Sequence, residues 1–369
     1  MAHDTLRARP RDPRAAGAGG GRAGALLRRW DTAVVLALVA VVVGAALLVD
    51  GFATGRNAEF LLLDAVAIGL VALPVTLIVV TGEIDLSVAS TLGLCSAVMG
   101  QLWLSGWPLE LIVPAAVALG AVLGAVNGLF VTGFGLPSLA VTIGTLAAYR
   151  GLAFVVLGDR AVADFPGDWT DAAISTVPGG ALPWAMVATA LLAAGFGVVL
   201  HATPFGRELF ALGSNAEAAR FSGVAVRRHK FWLFVACGAV SGLAGVYWTL
   251  RYASARADNG EGLELAVVAA VLLGGVSIFG GRGTLLGVCA GVLLLGALRN
   301  ALQLADVPSD TLDIVTGSLL IVSVVAPNAV ARLRARRTRA RPPSGPGAPG
   351  APAPGRRPSP APPSGERNP

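Results

Sequence analysis

Residues 205–223 read FGRELFALGSNAEAARFSG (Phe205–Gly223), a stretch carrying Arg207, Glu208, Glu217 and Arg220 around a short Ala-rich helix between two long apolar runs. A hydrocarbon core of ~30 Å takes ~20 apolar residues to cross as a helix, and membrane-like runs lie on both sides of this stretch. A membrane chain that builds a small polar helix between two spans is presenting it to something. The stretch therefore predicts an all-α integral membrane protein with a docking surface for a partner protein, one component of a larger machine.

Composition agrees. Hydrophobic residues make up 54% of the chain and charged ones 14%, too few charges to cover a soluble surface. Between Trp30 and Asn328 there are about ten span-length stretches. They are Thr32–Val49, Leu62–Val80, Leu86–Leu104, Leu109–Val131 and Leu139–Leu157, then Trp184–Leu200, Phe231–Leu250, Leu263–Ile278, Thr284–Leu302 and Leu312–Ala326. The polar helix falls between the sixth and seventh. The first run follows an Arg-rich leader and is long enough to stay as an anchor, so no cleavable signal peptide is expected. Arg28-Arg29 reads as a positive flank of that anchor rather than as a twin-arginine signal.

Charge sets the expected orientation. The leader (Arg7 to Arg29) and the tail (Arg332 to Arg339) are both basic, which places both termini in the cytoplasm and requires an even number of spans. Asp159, Asp164, Asp168 and Asp171 then fall outside, while Arg207, Arg220, Arg227, Arg228 and Lys230 fall inside. The net charge of +6 is on this reading a topology signal that meets anionic membrane lipids, with no nucleic-acid partner. The expected organisation is a disordered basic cytoplasmic leader (1–30), a transmembrane domain (31–330) and a basic, then Pro/Gly-rich disordered tail (331–369).

Small residues recur every fourth position at Gly120, Gly124 and Gly128, at Gly238 and Gly242, and at Gly283, Gly287 and Gly291, which predicts closely packed helices. Two of these ladders carry an Asn toward the C-terminal side, Asn127 and Asn300. They would correspond if spans two to five were repeated, inverted, as seven to ten.

Two motifs stand out. In TGEIDLS (Thr81–Ser87), Gly82 permits a break, and Asp85 or Ser87 is expected to cap the next helix. Glu83 and Asp85 are carboxylates near the membrane and so functional candidates, with a contribution to gating. In LLGGVSIFGGRGT (Leu272–Thr284), Gly274, Gly275 and Gly281 resemble a phosphate loop only superficially, because no Gly-Lys-Ser/Thr follows and Lys230 is the only lysine. A tight turn beside a close helix crossing accounts for these glycines. The histidines His3, His201 and His229 are isolated, and Cys95, Cys237 and Cys289 lie in apolar runs as packing residues. The residues thus predict no metal site, no catalytic set and no enzyme. Span interiors read as almost free of ionisable groups, so energy for any transport would come from another subunit.

With these residues in view the chain resembles the permease subunits of bacterial ABC importers of the ribose/xylose/autoinducer-2 (monosaccharide) class. The matching segments are TGEIDLSVAS (Thr81–Ser90), GLPSLAVTIGTLAAYRGLA (Gly135–Ala153), TPFGRELFALGSNAEAARFSGV (Thr203–Val224) and LELAVVAAVLLGGVSIFGGRGTLLG (Leu263–Gly287). They spread over roughly residues 32 to 328 in the expected order; the family pattern has Gly where this chain has Glu83, and usually Gly at Ala89. The resemblance implies two permease subunits (a homodimer or heterodimer), two ABC ATP-binding subunits that carry ATP and Mg, and an extracytoplasmic solute-binding protein. This chain would bind no cofactor itself, in the bacterial cytoplasmic membrane. Residues Asn215, Ala216, Glu217, Ala218, Ala219 and Arg220 would form the coupling helix in a cleft of the ATPase. Gly213 and Gly223 would bracket it, and Arg207, Glu217 and Arg220 would make polar docking contacts. Arg251, Arg256, Asp258 and Glu261 would meet the binding protein.

A path for a neutral polar solute calls for hydroxyl and amide groups, and Ser90, Thr91, Ser96, Asn127, Thr142, Thr145 and Asn300 are the lining candidates. Each could equally be a helix-packing contact. The resemblance leaves a pentose of the ribose type, a deoxyhexose such as rhamnose, and autoinducer-2 as solutes, leaning to the last two. The competing reading is a stand-alone ion-coupled secondary transporter, suggested by the repeat-like halves.

Overall fold

Apolar runs become helices because a backbone in lipid must satisfy its own hydrogen bonds. The computed structural model describes residues 30–308, 311–312, 314–322 and 325. The expected disordered leader (1–30) lies, but for Trp30, outside the described residues, as do residues 326–330 and the expected disordered tail (331–369). The elements are α1 (Trp30–Leu48), α2 (Gly55–Val80), α3 (Val88–Leu104), α4 (Leu109–Thr132), α5 (Ser138–Leu157) and α6 (Gly167–Ile174). They continue as α7 (Trp184–Ala202), α8 (Pro204–Ser214), α9 (Ala216–Phe221), α10 (Val226–Arg251), α11 (Leu263–Leu273) and α12 (Leu285–Leu304). Among the described residues β pairing is limited to the isolated bridges Val162–Ala255 and Thr176–Pro183.

Among the described residues seven helices (α1, α2, α4, α5, α7, α10 and α12) are long and apolar enough to cross a membrane. The other three of the ten expected spans correspond to the shorter apolar helices α3 and α11 and to the stretch 312–326, which is described only in part. Helix α3 has 17 residues and is ~25 Å long at 1.5 Å per residue. The expected span Leu263–Ile278 is corrected: α11 has 11 residues and reaches only ~16 Å. Hydropathy misses this stop because Gly274 and Gly275 count as apolar while the chain turns there, with Gly275 at φ +90°. Of the last expected span, Leu312–Ala326, residues 312, 314–322 and 325 are helical and the others lie outside the described residues.

Helix α2 forms the centre, with 83% of its apolar window buried against 11% for α1 and for α7, which turn their apolar faces outward. Side-chain contacts fix its direction against α10: Tyr247 Oη donates to the Leu63 carbonyl at 2.8 Å near one end, and Lys230 pairs with Glu83 at the other. Helices α4 and α10 cross through the predicted glycine ladders. A Cβ on Gly124 would collide with the Phe234 carbonyl, and one on Gly238 with the Gly120 carbonyl, so the two backbones touch.

These contacts sort the connections onto two ends. At one lie the break at residues 81–87, the α8–α9 arm, the turn at 274–283, and the start of α1, where Trp30 Nε1 donates to the Leu273 carbonyl at 2.8 Å. At the other lie the loops at 158–166 and 252–262, joined by mutual backbone bonds between Val162 and Ala255, together with the start of α2 and the end of α12. The connections that charge assigned to one side of a bilayer thus share one end.

Candidate functional site

The arm is built by two caps. The Thr203 hydroxyl accepts from the Gly206 amide at 3.3 Å to start α8. The Asn215 Oδ1 accepts from the Glu217 and Ala218 amides at 3.1 and 3.0 Å to start α9. Each cap satisfies amides that the first turn leaves without partners, so a six-residue helix holds its shape at the end of the molecule. Arg207, Glu217, Ala218 and Arg220 are exposed and Ala219 is buried. Phe221 is 78% exposed, with the Arg220 guanidinium 5.8 Å from its ring centre. Gly223, at φ +89°, turns the chain toward α10.

Gly213 sits where three backbones meet. A Cβ there would strike the Val80 carbonyl and the Gly281 amide, and the Gly281 amide itself donates to the Val80 carbonyl at 2.8 Å. The end of α2, the end of α8 and the glycine turn before α12 thus touch without intervening side chains. Gly274, predicted at the same turn, packs against the backbone of Gly287 and Val288, and Gly275 against the Trp30 ring. The arm is further held by His229, whose Nε2 lies 2.8 Å from Glu208 Oε2 and whose ring stacks on Phe205 with centres 5.1 Å apart.

Next to this junction the break at 81–87 forms a polar knot. Gly82 takes φ +81°. Asp85, buried, accepts at Oδ1 from the Ser87 amide at 2.9 Å and the Ser87 hydroxyl at 2.7 Å. Asn127 on α4 donates to Ser87 Oγ at 2.8 Å. The expected helix cap is corrected here: Ser87 occupies the N-cap position of α3 without a side-chain cap bond, because its hydroxyl is engaged by Asp85. The carboxylate closes a local turn onto Ser87 instead of reaching into α3.

The path candidates divide. Ser90 donates to the Ser87 carbonyl, Ser96 bonds Thr249 and Asn259, and Thr142 donates to the Ile84 carbonyl. Ser90, Thr91, Ser96, Asn127 and Thr142 are buried between helices, while Thr145, half-buried, bonds back to the Val141 carbonyl. Asn300 alone of this group borders a cavity of about 480 Å³ at the end opposite the arm. It forms a double amide pair with Asn57, at 2.8 and 2.9 Å.

Among this cavity's residues Arg251, Glu261 and Asn300 are sequence-predicted, whereas Asp64, Trp248, Tyr252 and Gln303 were passed over. Asp64 pairs with Arg251 at 2.6 Å and accepts from Tyr252 Oη at 3.2 Å; Trp248, Glu261, Asn300 and Gln303 share the lining. On α5, Arg150 donates to the Ala257 and Asn259 carbonyls at 2.6 and 3.0 Å, fastening the span to the 252–262 loop. Both Asp64 and Arg150 lie within apolar runs, and an ionisable residue inside a span is a signal that could have found them. Of the loop residues expected to meet a partner, Arg256 and Asp258 pair with each other at 2.7 Å. The Arg256 hydrogen bond holds the Asp258 carboxyl below the ordinary carboxylate value of 3.8. Among the described residues no three His, Cys, Asp or Glu side chains gather as a metal site.

The family model described as "branched-chain amino acid transport system / permease component" matches residues 57–324. The chain is 34% identical over 307 residues to the autoinducer 2 import system permease protein LsrD of Klebsiella pneumoniae subsp. pneumoniae, covering 80% of this chain and 90% of that one. It is 33% identical over 311 residues to LsrD of Yersinia pseudotuberculosis serotype O:1b, covering 81% and 92%. Against LsrD of Enterobacter sp. it is 33% identical over 307 residues, covering 80% and 92%. No solved structure matches the chain.

Proposed function

The chain belongs to this permease-component family, and from that premise we propose that it forms the membrane path of an ATP-driven importer for a small polar solute. The observation that carries this reading is the arm. A capped six-residue helix with exposed Glu217 and Arg220 and a largely bare Phe221 is what an ATP-binding subunit would seat in a cleft. Closure of that subunit around ATP and Mg would push on α9 and tilt the spans between outward- and inward-open arrangements. A second permease chain, identical or paralogous, would complete the path, and a solute-binding protein would deliver at the opposite end. Both termini would face the cytoplasm, as the basic flanks indicate.

The solute follows from the relatives and from the cavity. Proteins named for autoinducer 2 import are the similar ones, and the cavity combines aromatic faces (Trp248, Tyr252) with amide groups (Asn300, Gln303). Aromatic and planar polar groups suit a compact polyhydroxylated molecule. Autoinducer-2 is the first solute to test, ahead of rhamnose-like sugars and pentoses. Two inverted halves draw support from packing: α4 crosses α10, and α12 meets α2 through Asn300 and Asn57, which exchange under a repeat of spans two to five as seven to ten.

The test is ATP-energised uptake of autoinducer-2, rhamnose and ribose by vesicles that carry the complex. Glu217→Arg with Arg220→Glu should abolish uptake while the chain remains inserted and folded. Undiminished uptake by that variant counts against docking through α9. Flux driven by an ion gradient in liposomes holding this chain alone would establish the secondary carrier instead.

A further inference from the structure

Lys230, the chain's only lysine, forms an ion pair with Glu83, and both side chains are 16% exposed. Glu83 lies in the break between α2 and α3, 147 positions away in sequence. The break has other anchors: Ser138 Oγ accepts from the Ile84 amide at 3.1 Å and Thr142 donates to the Ile84 carbonyl at 3.3 Å, which ties it to α5. The Asp85–Ser87–Asn127 knot ties it to α4. The Glu83–Lys230 pair joins it to the root of α10.

That root is where the arm delivers its motion. Only residues 222–225 separate α9 from α10, too short a connection for one to move far without the other. His229 holds the root to α8 through Glu208, and the next residue, Lys230, holds it to the break. Glu83, Lys230 and Arg227 also line one cavity of about 350 Å³, together with Thr132 and Pro137. A largely buried charge that loses its partner is costly. The pair therefore either moves as one body or parts as a unit, and does not stretch.

We propose that Glu83 and Lys230 are positioning residues of the transport cycle: their ion pair carries displacement of α9 into the break before α3. The inference rests on the importer reading. A merely structural pair would contribute to stability and leave the response of the break to nucleotide unaltered.

Hydrogen exchange separates the two without requiring the solute. The complex with its ATP-binding subunit is purified from host membranes and compared with and without ATP plus vanadate. In the wild type, amides of both residues 216–221 and residues 81–87 should change exchange rate on trapping, by about tenfold for the latter. In Glu83→Gln and in Lys230→Met, residues 216–221 should still respond while 81–87 no longer do, with melting temperatures lowered by the charge left without its partner. The double variant Glu83→Lys with Lys230→Glu should restore the response. An undiminished response of 81–87 in the single variants overturns the inference, as does a folded double variant that fails to restore it. Should the single variants fail to assemble, the neutral combination Glu83→Gln with Lys230→Met, which strands no charge, takes their place, and an undiminished response of 81–87 in it overturns the inference. A wild-type complex in which neither segment responds overturns the importer reading and this inference with it; a response confined to 216–221 overturns this inference alone.

Discussion

The two ends of the molecule are built from different materials. At the arm end, main chain meets main chain: Gly213 lies against Val80 and Gly281 with no room for a Cβ, and α9 is fixed by caps at both turns of the arm. At the opposite end, side chains face one another around an open volume of about 480 Å³, and Arg251, Asp64, Tyr252 and Asn57 make the contacts. Backbone contacts cannot change length without moving whole helices, whereas side-chain contacts can exchange partners. The first kind suits transmission of a displacement, and the second suits admission and release of a solute.

Substitution at glycine breaks this comparison most directly. Gly213→Val places a branched side chain against two backbone groups and should cost on the order of 3 kcal/mol or more, since overpacking against rigid backbone has no cheap relief. Gly296→Ala, on the cavity wall with nothing within 4 Å of its would-be Cβ, should leave stability unchanged or slightly raised. Melting of the two variants in detergent, followed by size-exclusion, checks the pair. Equal melting temperatures would remove the distinction between the ends.

The buried knot comes next. Asp85→Ala strips the acceptor from both the amide and the hydroxyl of Ser87 and should destabilise by about 1–3 kcal/mol. Asp85→Asn keeps one acceptor oxygen and should lose less. The same melting assay ranks them, and an Asn variant as poor as the Ala variant would mean that the charge, and not the hydrogen bonds, holds the break.

Much of this was legible from residue order. The boundaries of α4, α5 and α7 follow the apolar runs within a few residues, because nothing but lipid or apolar neighbours competes for those segments. The arm was legible as well, as a short Ala-rich helix, although Asn215 was placed inside that helix and stands instead as its cap. What escaped was of two kinds. The end of α11 at Leu273 escaped because glycine is scored as apolar while its backbone turns. The pairings Glu83–Lys230 and Asp64–Arg251 escaped because each joins residues far apart in the chain, and charge on a single sequence carries no distance. The Asp85–Ser87 contact was assigned to a helix cap for a related reason: a cap and a local turn use the same residue types two positions apart.

At the opposite end, Arg251→Gln removes a cation paired with a half-exposed Asp64 and a weaker contact to Tyr247 Oη at 3.4 Å. The Arg251 side chain is buried, but the Asp64 left behind is half-exposed and can be solvated, so the stability change should stay at about 1 kcal/mol. Initial uptake of autoinducer-2 should nevertheless fall severalfold, because the variant alters the wall of the cavity. This sharpens the comparison: stability and transport part company here, whereas at Gly213 they fail together. Melting that collapses in step with uptake would show that the cavity wall is as structural as the arm.

The smallest effect belongs to the loop pair Arg256–Asp258, and its sign is fixed by the direction of the shift. The Arg256 hydrogen bond holds Asp258 below the ordinary value of 3.8, so the folded chain prefers the charged carboxylate more than the unfolded chain does. The stabilisation is therefore fully present above the ordinary carboxylate range and is lost as pH falls through the depressed value. Melting of wild type and of Asp258→Asn should differ by a small constant amount at neutral pH and converge in acid below that range. The pair is open to solvent, and Arg256 and Asp258 are screened by salt, so raising the ionic strength should shrink the neutral-pH difference further. A difference that grows in acid would mean that Asp258 is held by something other than Arg256, and the 252–262 loop would then owe its shape to the Arg150 bonds to the Ala257 and Asn259 carbonyls, the Val162–Ala255 bridge and the Asn259–Ser96 bond.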